Sequence, residues 1–195
     1  MKVIPPPGII PLTQKTRPTC EVPLEVEVPY VVTRGSISVE PWKQKFSKFT
    51  EDFWDDENQV GNVRLTRPAH DAWGIQKIVF VFCDDYLQRI YDLPFSHDPE
   101  WKPLLDEIYS IMGIDAKKVV RCLLARMPSG VKIPVHHDTG YWVRKTHRCH
   151  VAIETGEEVQ FFVGPTEDSM LEVRFSPFPF RDIFIYWSLH PIVLI

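Results

Sequence analysis

The sequence predicts a mainly β protein with flanking helices, in which several short antiparallel strands form a sandwich, jelly roll or barrel. Three observations support this class. Segments rich in β-branched residues recur at close spacing in the second half, turn signals such as Pro128-Ser129-Gly130 separate them, and two other segments have helical periodicity. The 195 residues correspond to about one domain.

The first 40 residues are predicted to be a proline-rich extended arm, and residues 41–195 are predicted to form the domain. Seven of the 18 prolines fall within the first 30 residues, where each proline removes a backbone donor and fixes φ. The alternating stretch 21–28 has the period of a strand, but its prolines confine it to an edge or an irregular strand.

Two helices are expected to cover the sheet. The first begins at Pro41 and carries four aromatic residues at spacings of four, three and four, which favours core packing over a ligand platform. These residues are Trp42, Phe46, Phe49 and Phe53. The second helix uses Asp98 as its N-cap and Pro99 as its first residue, and it ends at Gly113. Its apolar face consists of Trp101, Leu104, Leu105, Ile108 and Met112.

The strands are predicted from their period and their β-branched content. They span residues 60–65, 75–82, 119–127, 131–138, 148–154, 159–163 and 170–175. The C-terminal strand is expected to be incomplete, because the chain stops soon after residue 190. A missing strand would leave an unpaired sheet edge.

Composition and charge exclude several classes of function. The net charge of −4 supplies no positive field for phosphate backbones, so nucleic acid is not expected as a partner. The four cysteines are too scattered for a disulfide framework or a paired zinc site and are predicted to be reduced core thiols. They are Cys20, Cys83, Cys122 and Cys149. Without a signal-peptide pattern or an apolar run of 18 residues, a cytoplasmic location and no membrane contact are expected.

The residues with the most chemical potential lie between 136 and 150, a segment that holds four of the seven histidines. On a strand, side chains two residues apart share a face, so His136 and Asp138 point together. They supply two ligands of the 2-His-1-carboxylate arrangement that binds Fe(II) with open positions. The alternative is an exposed loop histidine beside a turn-forming Asp-Thr-Gly. A zinc site shared by the clustered histidines is disfavoured, because His136 and His137 point to opposite faces.

A second pair, Arg148 and His150, also shares one face of a predicted strand, with Cys149 on the other. Because a guanidinium matches a carboxylate bidentately, Arg148 is expected to anchor a dicarboxylate beside the metal, with His150 donating a further hydrogen bond. Trp142 is the candidate substrate contact, and simple packing is the other interpretation. Residues 70–74 are interpreted as a turn with a packed tryptophan, with a substrate mouth as the alternative.

The arrangement over residues 121–163 resembles the aspartyl/asparaginyl β-hydroxylase-like domain of the Fe(II)/2-oxoglutarate-dependent dioxygenases, whose relatives include proline hydroxylases. A strand ending in Pro-Ser-Gly is followed by His-x-Asp and then by an Arg-x-His strand. The resemblance implies a double-stranded β-helix of the jelly-roll or cupin type. It also implies Fe(II) at His136 and Asp138, and 2-oxoglutarate at Arg148 and His150.

The family also has a distal histidine ligand on a late strand, and His190 is the candidate for it in this sequence. The arginine that usually follows in the family is absent here, so either the C-terminus is altered or Arg148 is expected to hold the carboxylate alone. The implied activity is hydroxylation of an amino-acid or peptidyl side chain of the Asp, Asn or Pro type. The alternative is a catalytically inactive binding or interaction module of the same fold with an incomplete metal site. Oxidation of nucleic acid by the same triad is weakened by the acidic charge balance.

Overall fold

A computed structural model of the chain describes residues 31–55, 62, 68–136, 140–156, 158–163, 171–172, 180–186 and 192–194. The helices are α1 Glu40–Phe46, α2 Pro68–Ala72 and α3 Lys102–Ile111, with 3-10 helices Glu51–Trp54, Pro94–Ser96, Ala116–Lys118 and Val143–Lys145. The strands are β1 Val31–Ser38, β2 Gln76–Cys83, β3 Ile90–Asp92, β4 Cys122–Arg126, β5 His147–Val151, β6 Phe162–Val163, β7 Leu171–Glu172, β8 Phe180–Tyr186 and β9 Ile192–Leu194. A sheet with flanking helices is therefore the architecture of the described residues.

The described strands form one seven-stranded sheet and one two-stranded sheet. The order in the large sheet is β1-β8-β5-β9-β4-β2-β3, and β6 pairs with β7 in the small one. All pairings are antiparallel except those of β9, which runs parallel to both β4 and β5. The β-rich character predicted from the sequence agrees with this sheet, whereas the double-stranded β-helix stays a prediction.

Most predicted strands coincide with observed strands. Segments 75–82, 119–127 and 148–154 correspond to β2, β4 and β5, and 159–163 and 170–175 contain β6 and β7. The predicted strand 131–138 is wrong in its described part, because residues 131–136 have no regular structure after a turn in which Val131 N–H donates to the carbonyl of Pro128 at 3.1 Å. Apart from residue 62, the predicted strand 60–65 lies outside the described residues.

The two ends of the described chain contribute strands that the sequence analysis did not predict. β1 lies inside the range 1–40 assigned to an extended arm, yet it pairs with β8 from Val31 to Ser38, with a shift of register between Thr33 and Gly35. Residues 31–38 therefore belong to the sheet, and residues 1–30 lie outside the described part. β9 is paired on both sides, so the expected unpaired edge at the C-terminal strand is wrong. The edges of the described sheet are β1 and β3.

The first predicted helix is divided into α1 and the 3-10 helix Glu51–Trp54, with Thr50 extended between them (φ −77°, ψ 158°). The aromatic stripe stays continuous across this break, with ring centroids 6.2, 6.0 and 4.1 Å apart in sequence order. It packs against the sheet and Trp101. The core interpretation of the stripe is therefore confirmed.

The second predicted helix corresponds to α3 and ends, as predicted, at Gly113, whose φ of +65° suits glycine. It begins at Lys102 rather than Pro99, because Asp98 caps a separate turn and accepts a hydrogen bond from the N–H of Glu100 at 2.8 Å. Its N-cap residue Trp101 is buried, and so are the helix residues Leu105, Ile108 and Tyr109. None of the helices in the described ranges is long and apolar enough to cross a membrane.

The described cysteines are buried free thiols, as predicted, and Cys20 lies outside the described residues. Burial raises the pKa of Cys122 and of Cys149 to about 12. Burial also raises the pKa of Cys83, although the charge of Arg121 opposes the increase. The three thiols are therefore protonated at neutral pH and belong to the core.

Candidate functional site

β5 carries the two residues predicted to bind 2-oxoglutarate. The strand is interior, with β8 on one side and β9 on the other, so its backbone is held on both edges. Arg148 and His150 alternate with Cys149, so they share one face and both are half-buried, while Cys149 is fully buried. The structure thus brings the two side chains together, and their role stays a prediction.

His150 is electrically neutral at physiological pH. Burial, together with the positive charge of Arg148, lowers the pKa of His150 to about 3. The ring of Phe161 lies beside the imidazole, with centroids 5.3 Å apart. A neutral imidazole offers one N–H donor and one lone pair, and the neighbouring guanidinium offers a fork of donors. This face of β5 therefore presents a cation and a neutral hydrogen-bonding group, which suits a carboxylate.

Trp142 is buried rather than open to a substrate. Its side chain is only 6 % exposed and packs with Cys83 and Val120. The guanidinium carbon of Arg121 lies 3.7 Å from the centroid of the indole, and that of Arg148 lies 6.0 Å away. The packing interpretation of Trp142 is the one that the structure supports, and its neighbour at the candidate site is Arg148.

Arg121 is a buried residue that sequence reasoning missed. Its Nε donates to Sγ of Cys83 at 3.2 Å, and its Nη2 donates to the carbonyl of Cys83 at 3.0 Å. The same Nη2 lies 3.6 Å from Oδ1 of Asp85, and the guanidinium carbon lies 4.7 Å from the Phe82 ring centroid. A charged residue inside the otherwise apolar run 119–125 is the sequence signal that could have identified it, because a buried charge requires partners.

His136 is exposed and lies in the irregular segment after β4, so the strand argument that pairs it with Asp138 does not apply to it. Nδ1 of His136 lies 2.8 Å from the carbonyl oxygen of Pro134. Because a carbonyl only accepts, Nδ1 carries the hydrogen and the lone pair of the neutral ring is on Nε2. The ring also contacts Trp73, with centroids 4.8 Å apart. Asp138 and His190 lie outside the described residues.

Trp73 reaches His136 from a turn that is fixed to the sheet. Lys77 of β2 is 3 % exposed, and its Nζ donates to Oδ1 of Asp71 in α2 at 2.6 Å. Gly74 then takes φ +69°, and a Cβ at that position would lie 3.8 Å from Cγ2 of Val131. The turn after α2 therefore packs against the segment that carries His136, which neither sequence interpretation of residues 70–74 specified.

The predicted iron ligands can be compared with the structure only at His136. No group of three or more His, Cys, Asp or Glu residues is placed to hold a metal within the part of the chain that the structure describes. The hydrogen bond from Nδ1 to a backbone carbonyl is the kind of outer interaction that orients histidine ligands of metals. The donor chemistry at His136 fits a metal, and that at Arg148 and His150 fits a carboxylate.

Comparisons with protein-family models, with curated proteins and with solved structures find no match for this chain. The residues and contacts above are therefore the basis for assigning a function. These residues form two features: the half-buried pair Arg148 and His150 on β5, and the oriented imidazole of His136 beside Trp73. They lie on either side of the segment 137–146 along the chain.

Proposed function

We propose that the chain is an Fe(II)/2-oxoglutarate-dependent dioxygenase that hydroxylates an amino-acid or peptidyl side chain of the Asp, Asn or Pro type. The observation that carries the proposal is the pairing of Arg148 with a neutral His150 on one half-buried face of an interior strand. The resemblance of residues 121–163 to the aspartyl/asparaginyl β-hydroxylase-like domain implies the two cofactors, Fe(II) and 2-oxoglutarate. Partial burial strengthens the attraction between a guanidinium and a carboxylate.

Arg148 and His150 bind 2-oxoglutarate in this proposal. The guanidinium forms two parallel hydrogen bonds to one carboxylate, and the neutral imidazole donates a third. Because the pKa of His150 is about 3, its imidazole does not take up a proton during turnover near pH 7. Phe161 and Trp142 contact the two side chains and reduce their exposure to water.

Fe(II) is held in this proposal by His136, Asp138 and His190. When bound, the metal supplies the chemistry that couples oxidative decarboxylation of 2-oxoglutarate by O2 to hydroxylation of a C–H bond. His136 contributes Nε2, since its Nδ1–H donates to the carbonyl of Pro134. Trp73 keeps the plane of the imidazole in place.

A double-stranded β-helix is the fold that we propose for the complete domain. Phe161, whose ring contacts His150, directly precedes β6. The small β6–β7 sheet therefore starts beside the face of β5 that carries the proposed 2-oxoglutarate site. Two sheets with a ligand between them is the jelly-roll arrangement.

Anaerobic titration tests the proposal. Wild type should bind Fe(II), and it should bind 2-oxoglutarate in the presence of the metal. His136→Ala should lose Fe(II) binding, whereas the matched control His97→Ala, which replaces another exposed histidine, should retain it. Arg148→Gln should retain Fe(II) and lose affinity for 2-oxoglutarate. Unchanged Fe(II) binding in His136→Ala would contradict the proposed ligand.

A non-catalytic binding module is the second candidate. The observation that favours it is the position of His136, which lies in an exposed irregular segment rather than on a strand that would fix it in advance. A holoenzyme gains stability from a ligand that binds only the folded state. Thermal unfolding with and without Fe(II) under argon separates the two candidates, because the binding module shows no metal-dependent increase in Tm.

A further inference from the structure

The indole of Trp142 contacts two guanidinium groups. The carbon of the Arg121 guanidinium lies 3.7 Å from the ring centroid, close enough for a cation–π contact in the interior. The Arg148 guanidinium lies 6.0 Å from the same centroid, at the outer limit of such contacts. Trp142 therefore links a buried arginine to the arginine of the proposed 2-oxoglutarate site.

Arg121 is fixed independently of Trp142. It is 4 % exposed and donates two hydrogen bonds to Cys83, one to the thiol and one to the carbonyl. Asp85 lies 3.6 Å away as the nearby carboxylate, and Phe82 provides a second ring. Because a planar guanidinium that donates to more than one fixed acceptor has little freedom, Arg121 provides a fixed surface for the indole.

The backbone around Trp142 is held at both of its polar groups. Its N–H donates to the carbonyl of Asp85 at 3.3 Å. Its carbonyl accepts from the N–H of Lys145 at 3.0 Å and from the hydroxyl of the buried Thr146 at 3.1 Å. Gly140 adopts φ +132°, and a Cβ there would lie 3.4 Å from the indole. The backbone of residues 140–146 is therefore fixed by hydrogen bonds to Trp142 and lies close to its indole.

This arrangement determines where β5 begins relative to the end of β2. Thr146 directly precedes β5, and Arg148 is two residues further along. The turn with Asp85 follows β2, so the contacts of Trp142 tie the two regions together. Displacing the indole would release the start of β5 and remove an apolar neighbour of the Arg148 guanidinium.

We infer that Trp142 and Arg121 are positioning residues that hold the guanidinium of Arg148 ready for the carboxylate of a dicarboxylate ligand. Arg121 fixes the indole, and the indole with its loop fixes Arg148. The identity of the ligand as 2-oxoglutarate rests on the proposed function. The anchoring of residues 140–151 does not depend on it, because it follows from contacts within the chain.

Two mild variants and one control test the inference. Trp142→Phe keeps an aromatic ring, Arg121→Lys keeps the charge without the planar fork, and Trp42→Phe alters a buried tryptophan of a different core cluster. Affinity for 2-oxoglutarate is measured anaerobically with Fe(II) present. We expect both site variants to bind 2-oxoglutarate roughly 10-fold more weakly, a loss of about 1.4 kcal/mol, with Fe(II) affinity unchanged, because the Arg148 guanidinium is then held less firmly. Trp42→Phe should lower Tm by about as much as the two site variants do, but it should leave both affinities unchanged.

Hydrogen exchange of the apo protein supplies a readout without ligand. Amides of residues 141–151 should exchange faster in Trp142→Phe and Arg121→Lys, while those of α3 keep their protection. Unchanged exchange in this segment, or unchanged 2-oxoglutarate affinity in both variants, would overturn the inference. Failure of wild type to bind 2-oxoglutarate would instead contradict the proposed function. In that case the exchange data alone would test whether Trp142 and Arg121 anchor residues 140–151. If Arg121→Lys does not fold, Trp142→Phe provides the same comparison.

Discussion

The indole of Trp73 lies against the imidazole of His136, with ring centroids 4.8 Å apart and an angle of 46° between the ring planes. The same imidazole is held through Nδ1 by the carbonyl oxygen of Pro134. Two contacts therefore orient the side chain of an exposed residue. One comes from its own segment, and the other comes from the turn between α2 and β2.

Trp73→Ala should weaken the Fe(II) binding that we propose at His136. Removing the indole takes away a ring contact of about 0.5–1.5 kcal/mol and lets the imidazole turn. We expect up to about a 10-fold loss of Fe(II) affinity, as for other groups that orient ligands. Anaerobic titration measures it. Trp73→Phe keeps a ring and should lose less, and equal Fe(II) affinity in wild type and Trp73→Ala would show that the contact does not orient His136.

The free energy of unfolding should decrease as the pH is lowered, because of His150. Its folded-state pKa of about 3 lies below the ordinary value near 6.5, so the unfolded state binds more protons between these two values. The unfolding free energy is therefore unaffected by this group above about pH 6.5 and decreases as the pH falls towards 3. We expect a loss of about 1 to 2 kcal/mol between pH 7 and 5 from this residue.

Urea unfolding at pH 7 and at pH 5 measures this loss. His150→Asn has no imidazole to protonate, so its decrease over the same interval should be smaller by that amount. Parallel pH profiles of wild type and His150→Asn would contradict the low pKa of the buried imidazole.

The buried ammonium of Lys77 makes stability sensitive to Asp71. Asp71→Asn removes the negative charge 2.6 Å from a side chain that is 3 % exposed, and we expect a loss of about 1–3 kcal/mol. Lys77→Met replaces the ammonium by an apolar chain of similar length and should be close to neutral or stabilising. Urea unfolding of both variants measures these changes. If Asp71→Asn leaves the free energy of unfolding unchanged, the ion pair does not hold α2.

Gly140 and Gly156 provide a matched pair of substitutions. Gly140→Ala places a Cβ at φ +132° and 3.4 Å from Trp142, so it should cost about 1–3 kcal/mol. Gly156 has open space around its Cβ position, and Gly156→Ala should stay within about 0.5 kcal/mol of wild type. Thermal unfolding compares the two. Equal Tm values would mean that residue 140 does not need the conformation of glycine.

The three buried thiols should resist alkylation in the folded protein. They are at most 3 % exposed, and the pKa of Cys122 and of Cys149 is about 12, so thiolate is scarce at pH 8. Peptide mapping after iodoacetamide should show modification of Cys83, Cys122 and Cys149 at least about 100-fold slower than in urea, since core opening is rare. Fast labelling of any of them in buffer would contradict its place in the core.

Local patterns in the sequence predict local structure here. The spacing of apolar residues and Gly113 identify α3, and alternation along β5 places Arg148 opposite Cys149. The aromatic stripe is also predicted, although its spacing fits both one helix and the observed helix, turn and 3-10 helix. Features determined within about ten residues are therefore accessible to sequence reasoning.

Long-range pairings are not predictable in this way. β1 pairs with β8, about 150 residues away, and nothing in the sequence around residue 31 specifies that partner. The contact of Trp73 with His136 and that of Arg121 with Trp142 also join separate loops. Local periodicity leaves Trp142 as either a substrate contact or a packed residue, because its buried partner Arg121 comes from another part of the chain.

The position of β9 affects how the protein is made. Residues 192–194 fill the gap between β4 and β5, so the centre of the sheet cannot be completed until these residues have been synthesised. Contacts of such large sequence separation slow folding. During synthesis, β4 and β5 would each expose an open backbone edge, and contact between nascent chains through these edges is a route to aggregation.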